Sequence, residues 1–450
     1  SDMGTPNAEN FPGPCDGSKV FRSGKLTLTY GDSGDAIRVN VKDVKIDDVD
    51  FSGKARAEKI SIPNIQKDLS VTDGALDIDV QRTGLKAKGT VSINGSVPLK
   101  LVWSESFVPT RGPGSVFELS GYLDDASRTA VGLPLTEFIS GTAEVQAKFT
   151  GRGSAITNAT VHAELSAAIA KVDDLAWMKP VGKPATADLK VEFIRDAYRI
   201  SDFVLAGEGI DAKGGFTIDN AGHILAADFP VVKLGPSNDL ALKAKRDQKG
   251  TLVLDISGAK ADARGLIQDF ISGSGDKAEA EKAATRMLTP EMEQDPSLRS
   301  LIRANVAEVA AQNDTKFTGL KASFTQIDGE VFVMELSGTD RNGGALAVEI
   351  RGGADRTREF FMHSPDAGYV LSALDLMTSA RGGTLNARAV IDDKLPGSPM
   401  KGEFAADKFR IVNAPVLASI LTLGSLTGIR DTLNGEGIYF DSLKLPFNVT

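Results

Sequence analysis

The side chains with catalytic potential are scattered along this 450-residue chain and do not form motifs. His162 stands in an alternating segment, His223 in a turn and His363 just before a helix start, so each is interpreted as a surface or capping residue. One cysteine, Cys15, and three histidines do not make a zinc site. The sequence therefore predicts no catalytic residue, no metal ligand and no cofactor.

Two kinds of motif resemble functional sites without matching one. Asp77 and Asp79 lie two residues apart, which places both on one face of a strand, as a solvated face also requires. Gly207-Glu208-Gly209 and Gly352-Gly353 lack the strand–glycine–helix context of a nucleotide-binding loop, so they are interpreted as hairpin turns. A Gly-x-Ser-x-Gly nucleophile elbow is also missing from the sequence.

The bulk composition excludes several classes of protein. The net charge of −9 is spread evenly along the chain, so a nucleic-acid partner is not expected. A single cysteine fits a cytosolic protein, and equally a periplasmic one that avoids cysteine. The sequence has neither an apolar run long enough to span a bilayer nor a signal peptide. Ser1-Asp2-Met3-Gly4 looks like a cloning remnant and Thr450 ends a strand-like pattern, so we expect a segment of a longer protein whose anchor lies outside it.

Alternation of apolar and polar residues is the main structural signal. Leu76, Ile78 and Val80 alternate with Asp77 and Asp79, and glycines mark the ends of such segments, which is typical of antiparallel strands joined by short turns. Composition divides the chain into a flexible tail (1–19), a first β-meander (20–115), a second β-meander with short helices (116–274), a helical insert (275–315) and a C-terminal β-repeat region with apolar helices (316–450).

Residues 275–315 differ from the rest because alanine and charged residues dominate them. After Pro296, apolar residues recur at helical spacing, at Leu298, Leu301, Ile302, Val306 and Val309. This spacing predicts a helix that begins at the proline. The first interpretation is an amphipathic helical insertion that lies on the sheet. A partner-docking helix pair and a disordered connector are the alternatives.

A strand that leads into a short helix and returns through glycine to a strand recurs four times. The helices are predicted near residues 125–131, 262–271, 364–378 and 414–430. In the last, Asn413 is placed to cap the helix and Pro415 falls in its first turn. That helix is apolar on so many sides that protein, lipid or a partner must cover it. Such repetition favours one elongated sheet over separate globules.

The apolar strand faces also need cover, because at ~25 cal/mol per Å² a large apolar face does not stay bare in water. Two sheets stacked as a sandwich would cover it, whereas one long curved sheet would offer its apolar concave face to an apolar ligand. We predict a mainly β fold in which an elongated, twisted antiparallel sheet, built as a repeating meander, forms a groove. Short capping helices and the helical insert complete it.

Several motifs stand in a characteristic order: residues 69–74 (LSVTDG) before 76–80, 177–185 (WMKPVGKPA), 205–210 (LAGEGI) leading to Gly215, 366–371 (DAGYVL), and 428–435 (GIRDTLNG) within 409–440. This order resembles the YhdP-type members of the AsmA-like proteins. The resemblance covers most of residues 20–450, and the order of the motifs is more specific than any one of them. The sequence departs from the family pattern because it lacks the anchor, the C-terminal end and a recognisable counterpart of the 275–315 insert.

The resemblance implies an envelope protein of a Gram-negative bacterium, anchored in the inner membrane and projecting into the periplasm. It also implies a relationship to bridge-like lipid transfer proteins, whose twisted sheet carries phospholipid acyl chains along an apolar floor. The expected function is passive, non-enzymatic binding of acyl chains for transport from the inner to the outer membrane and for outer-membrane homeostasis. The expected partners are phospholipid, the inner membrane through an anchor outside this sequence, and outer-membrane or periplasmic proteins.

Two alternatives stand beside this function. The first is a non-enzymatic scaffold or assembly module for outer-membrane biogenesis, with a filled β core. The second is an enzyme acting on envelope polysaccharide, which would need a carboxylate pair in a cleft, and the sequence indicates none. The side chains predicted to line the groove or a capping helix are Leu76, Ile78, Val80, Leu205, Phe216, Ile218, Leu254, Phe332, Met334, Leu336, Leu417, Ile420, Leu421 and Phe440.

Overall fold

The computed structural model describes residues 24–30, 35–41, 52–66, 69–133, 135–152, 155–272, 285–353, 355–412 and 437–449. The chain divides into two compact units, the first of residues 1–134 and 144–161 and the second of residues 135–143 and 162–450. The described residues are mainly in β-strands and their helices are short, which confirms the predicted fold class.

The strands are β1 Gly24–Tyr30, β2 Asp35–Val41, β3 Ser52–Gln66, β4 Leu69–Gln81, β5 Gly84–Ile93, β6 Val97–Ser106, β7 Ser115–Leu123, β8 Ile139–Gly141, β9 Ala143–Arg152, β10 Ala155–Glu164, β11 Ala168–Val172, β12 Trp177–Lys179, β13 Ala185–Ile194, β14 Ala197–Gly207, β15 Ile210–Asp219, β16 Ile224–Leu234, β17 Asn238–Arg246, β18 Leu252–Asp262, β19 Arg299–Ala310, β20 Lys316–Ile327, β21 Glu330–Thr339, β22 Ala345–Gly352, β23 Thr357–Ser364, β24 Ala380–Arg381, β25 Thr384–Asp392, β26 Met400–Ile411 and β27 Ile438–Val449. The helices are α1 Asp125–Ala130, α2 Arg264–Ser272, α3 Pro290–Gln294 and α4 Ala367–Ala373, with 3-10 turns at Asp173–Leu175 and Pro296–Leu298.

In the first unit, the sheet runs in the order β3-β4-β5-β6-β7-β9-β10, and β1 and β2 form a separate antiparallel pair. The pairs from β3–β4 to β6–β7 are antiparallel. Leu76, Ala87 and Val91 form its buried centre, and Trp103 stacks on Phe117 with ring centroids 5.6 Å apart. One face of this meander is therefore the core face, as alternation predicts.

In the second unit, β13 to β18 pair antiparallel in succession, and so do β19 to β23. Between the two blocks, β18 and β19 are parallel over Leu252–Asp262 and its partners. The two-residue strand β24 pairs with β26, so β23 pairs directly with β25, and β27 follows β26. A separate three-stranded sheet has β11 between β8 and β12.

The helix predicted after Pro296 is wrong, because residues 299–310 form β19. Ile302, Ala304 and Val306 are less exposed than Arg303 and Asn305, so the strand has one inner and one outer face. The same apolar residues satisfy a period of two as well as a helical period, and pairing with strands on both sides favours the extended form. Within the described part of the predicted 275–315 insert, only Thr285, α3 and the turn Pro296–Leu298 have helical geometry.

Three of the four predicted helices are confirmed. The helices near 125–131, 262–271 and 364–378 correspond to α1, α2 and α4, although α4 is about half the expected length. Asp124 caps α1 through Ser127 N at 2.8 Å, and Asp366 caps α4 through Tyr369 N at 3.0 Å. The fourth helix, near 414–430, lies outside the described residues, and so do Leu417, Ile420 and Leu421. No helix among the described residues is long and apolar enough to cross a membrane.

Three hairpin connections of the second unit share the pattern Asp-x-x-Gly-x, at residues 219–223, 247–251 and 340–344. In each, the aspartate Oδ1 accepts from the amides two and four residues later, at distances between 2.7 and 3.0 Å. The glycine has a φ of +89°, +100° or +83°, a conformation that other residues rarely adopt. The pattern fixes the turn, and the turn fixes the register of the strands that it joins.

Candidate functional site

One face of the large sheet in the second unit carries unbroken rows of apolar side chains across the strands. The first row follows the register from β13 to β27 through Val191, Ile200, Phe216, Ala227, Ala244, Leu254, Ile302, Phe324, Met334, Ile350, Phe360, Ala389, Gly402 and Phe447. At ~4.8 Å between neighbouring strands, this row is roughly 60 Å long. Every member is apolar or glycine, so the row contains no polar side chain.

Two more rows lie beside the first. The second row runs from β16 to β27 through Phe229, Leu242, Ile256, Ala304, Ala322, Leu336, Val348, Met362, Ala387, Phe404 and Leu445. The third row runs from β13 to β20 through Ala187, Leu205, Ala212, Val232, Leu240, Gly258, Val306 and Leu320. The three rows together form what we call the apolar face, which extends about 13 Å along the strands from β16 to β20, where all three rows are present.

The opposite face of the same sheet is charged. Lys243 Nζ lies 3.6 Å from Asp228 Oδ2, and Arg303 Nε lies 2.8 Å from Asp255 Oδ1. Asp228, Lys243, Asp255 and Arg303 are direct cross-strand neighbours in one row. All four side chains are more than half exposed, so this face is the one in water.

Exposure varies along the apolar face. Ile350 and Phe360 in the first row are 7% and 5% exposed, whereas Leu445 in the second row is 48% exposed. Phe216, Leu254, Phe324, Met334 and Phe447 have intermediate exposure. The face is thus filled by protein around β22 to β25 and accessible at β27.

Helix α4 provides cover at one edge of the apolar face. All of its residues except Ser372 are buried, and its apolar residues belong to one core cluster with Phe317, Leu346 and Leu385. The Tyr369 hydroxyl donates to the Lys316 carbonyl at 2.6 Å and accepts from the Lys316 amide at 2.7 Å. Helix α2 lies at the same edge, because Gln312 joins both helices through Ala373 O and Arg264 O. We call this edge the helical edge.

A buried ion pair lies on the apolar face at the other edge. Arg358 alternates with Phe360 in β23, and its side chain is 2% exposed. Its Nε donates to Asp393 Oδ2 at 2.9 Å and its Nη2 donates to Glu330 Oε1 at 2.6 Å. The guanidinium also lies 5.4 Å from the Phe332 ring centroid, which is a cation–π distance. The charge is therefore fully compensated within the protein, so it is not a free anion site.

All the described residues that were predicted to contact lipid lie on the core faces of the sheets. Phe216, Leu254 and Met334 are in the first row, Leu336 is in the second and Leu205 is in the third. Ile218 pairs with Tyr198 beside the first row, Phe332 lies under Arg358, and Phe440 stacks on Phe409 at 5.2 Å.

Leu76, Ile78 and Val80 line the core face of the first unit instead. Their cross-strand neighbours in β5 are Gly89, Ala87 and Leu85. Asp77, between them, faces away and pairs with Arg56 at 2.9 Å. These residues belong to the first unit, whereas the three rows belong to the second.

Sequence reasoning missed the buried Arg358–Asp393 pair, whereas it predicted a short capping helix near residues 364–378, where α4 lies. Arg358 stands where the alternation calls for an apolar residue, which is a usable signal of a buried charge. Its partner is 35 positions away, so no local pattern predicts that the two residues pair. A cavity of about 420 Å³ in the first unit has a mixed lining of charged and apolar side chains, among them Asp79, Lys86, Leu85 and Val116.

The described residues bring together no group of three or more side chains that could hold a metal ion. Comparison with known proteins does not add a relative, since no family model, no curated protein and no solved structure matches this chain. The apolar face is therefore the candidate functional surface, because its rows are long and contain only apolar residues and glycine.

Proposed function

We propose that the second unit binds the acyl chains of phospholipids along its apolar face and that head groups stay in water at the edges. The observation that carries this proposal is the set of unbroken apolar rows on one face of a sheet whose other face is charged. The first row is roughly 60 Å long, and the apolar face is about 13 Å wide from β16 to β20, where all three rows are present. An apolar face of this size does not stay bare in water. It needs cover, and an acyl chain supplies it at ~25 cal/mol per Å².

The dimensions fit this ligand. A bilayer with a hydrocarbon core of about 30 Å has acyl chains of about 15 Å in each leaflet. From β16 to β20 the apolar face extends about 13 Å along its strands, so an acyl chain laid parallel to a strand there covers all three rows. The accessible part at β27, where Leu445 is 48% exposed, is where such a chain would first make contact.

The resemblance to the YhdP-type AsmA-like proteins supports the cellular setting of the proposal. In that setting the chain is a periplasmic segment of a protein anchored in the inner membrane. It serves passive transport of phospholipid to the outer membrane, a role that requires no catalysis. Its partners are phospholipid, the inner membrane, and outer-membrane or periplasmic proteins.

A second candidate function is a scaffold for outer-membrane biogenesis with a filled β core. The observation that favours it is the low exposure of Ile350, Phe360 and Ala389, which leaves no room for a ligand on that part of the face. In this case the rows are ordinary core, and the accessible residues at β27 are covered by protein.

Native mass spectrometry with lipid extraction separates the two candidates. The protein is purified without detergent, and co-purifying phospholipid is quantified per chain. Transfer between vesicles is then followed with a phospholipid that carries a fluorescent acyl chain. Bound phospholipid and accelerated transfer support the proposal, whereas a lipid-free protein that does not accelerate transfer contradicts it and supports the scaffold.

A further inference from the structure

The three-stranded sheet of β8, β11 and β12 has one buried side and one side in solvent. On the buried side, Ala170 pairs with Lys179, whose ammonium donates to three backbone carbonyls at 2.7 to 3.0 Å. On the solvent side, Met178 pairs with Lys171, and the Lys171 amide donates to the Phe138 carbonyl at 2.9 Å. Phe138, Lys171 and Met178 are therefore neighbours on one outer surface.

This outer surface exposes large apolar side chains. Phe138 is 49% exposed and Met178 is 60% exposed. Helix α2 extends the surface, because Gly265 packs so closely on the turn after β11 that an added Cβ would lie 1.8 Å from Asp173 O. Leu266, the next residue of α2, is 52% exposed. We call the surface formed by Phe138, Met178 and Leu266 the cap surface.

Acidic side chains border the cap surface. Partial burial raises the pKa of the Asp174 carboxyl, and the carboxylates of Asp269, Glu137 and Asp173 raise it further. Lys171 Nζ lies 2.5 Å from Asp173 Oδ2, so that cation is already engaged with one of them. A further cation placed among these carboxylates would be stabilised by all of them.

We propose that the cap surface docks a basic amphipathic segment of a partner protein. The apolar side chains of the segment pack on Phe138, Met178 and Leu266, and its Lys or Arg side chains pair with Asp174 and Asp269. An anionic bilayer does not fit, because the acidic border would repel its surface. A second copy of this chain fits poorly as well, because it carries a net charge of −9.

The proposal is independent of acyl-chain binding, because the cap surface lies on the outer side of the small sheet and not on the apolar face. Apolar contacts supply affinity at such a surface, and the charges supply orientation and a dependence on salt. Both contributions can be removed separately, so the test has two arms.

The probe is a synthetic amphipathic helical peptide of leucine and lysine, with a leucine–glutamate peptide of the same pattern as control. Binding to the full chain is measured by fluorescence anisotropy at low and high salt. The apolar arm is Phe138→Ser with Met178→Ser, and the charge arm is Asp174→Asn with Asp269→Asn. The matched control is Asp196→Asn with Glu208→Gln, which removes two carboxylates that are 84% and 85% exposed elsewhere in the unit.

We expect each arm to weaken binding of the lysine peptide by about tenfold or more, and the control pair to change it by less than about twofold. The charge arm also reduces the salt dependence, and the glutamate peptide does not bind. Thermal unfolding checks that the variants fold, which the high exposure of the substituted side chains favours. The proposal is overturned if the apolar variant, the charge variant and the control variant all bind the lysine peptide with equal affinity. So does binding to equimolar phosphatidylcholine and phosphatidylglycerol vesicles through Phe138 and Met178 without binding of the lysine peptide.

Discussion

Replacement of Leu445 by aspartate tests whether acyl chains contact the apolar face. Leu445 is 48% exposed, belongs to the second row and pairs with Phe404. Tyr439 is on the same strand, is 54% exposed and pairs with Arg410 on the outer face. Leu445→Asp and Tyr439→Asp therefore introduce the same charge at similar exposure on opposite faces of β27.

The expected loss of affinity follows from the exposure. Full burial of a leucine is worth about 1.5–3 kcal/mol, so covering the exposed half of Leu445 with an acyl chain is worth about 1 kcal/mol. A polar group held under an acyl chain without a partner costs about 1–3 kcal/mol more. A sum of about 3 kcal/mol corresponds to roughly hundredfold weaker binding of phospholipid to Leu445→Asp.

The assay is a fluorescence titration with a zwitterionic phospholipid that carries a fluorescent acyl chain, so that the added charge has little long-range effect. Urea unfolding of both variants verifies that the fold survives, since neither position is buried. Equal affinities for Leu445→Asp and Tyr439→Asp would refute the assignment of the apolar face as the acyl-chain surface.

Three further predictions concern the stability of the second unit. Gly368→Ala should lower the free energy of unfolding by about 1–3 kcal/mol, because its Cβ would lie 2.6 Å from Ala380 O, whereas Gly352→Ala, with nothing within 4 Å, should be close to neutral in the same urea titration. Asp393→Ala should cost about 3–5 kcal/mol because it leaves Arg358 buried and charged, and Arg358→Met with Asp393→Leu should recover most of that loss; equal losses in both would contradict the pairing. Asp174→Asn should raise the melting temperature at neutral pH, because a carboxyl whose folded pKa is raised above 3.8 destabilises the fold once it ionises, and the gain should vanish as the pH falls below that ordinary value.

The sequence predicts the strand content and the apolar sides of the strands because alternation is a local property. Leu76, Ile78 and Val80, or Met334 and Leu336, lie on core faces as their spacing indicates. Register also follows locally where an Asp-x-x-Gly-x turn joins two strands. The continuity of the rows does not follow, since it depends on every turn and bulge between β13 and β27.

Other features are decided by tertiary pairing. Residues 299–310 satisfy a helical and a strand period together, and pairing with β18 and β20 resolves the ambiguity. Strands β8 and β12 have three residues each, which is too short for any periodic signal. Arg358 and Asp393 are distant in the sequence, so no local pattern predicts that they form an ion pair.

The parallel pairing of β18 with β19 has a consequence for how the second unit assembles. Short turns connect β13 to β18 in succession and, separately, β19 to β23. Each series can therefore form from hairpins of neighbouring strands, which have a low contact order. The junction between them is the one lateral contact in that run that no hairpin turn closes. The two series meet along the ladder from Leu252 to Asp262, and hydrogen bonds such as the one from Gln312 Nε2 to Arg264 O add to it. In a hydrogen-exchange experiment during refolding, we expect the amides of this ladder to become protected last. We also expect lateral separation of the strands to begin between β18 and β19.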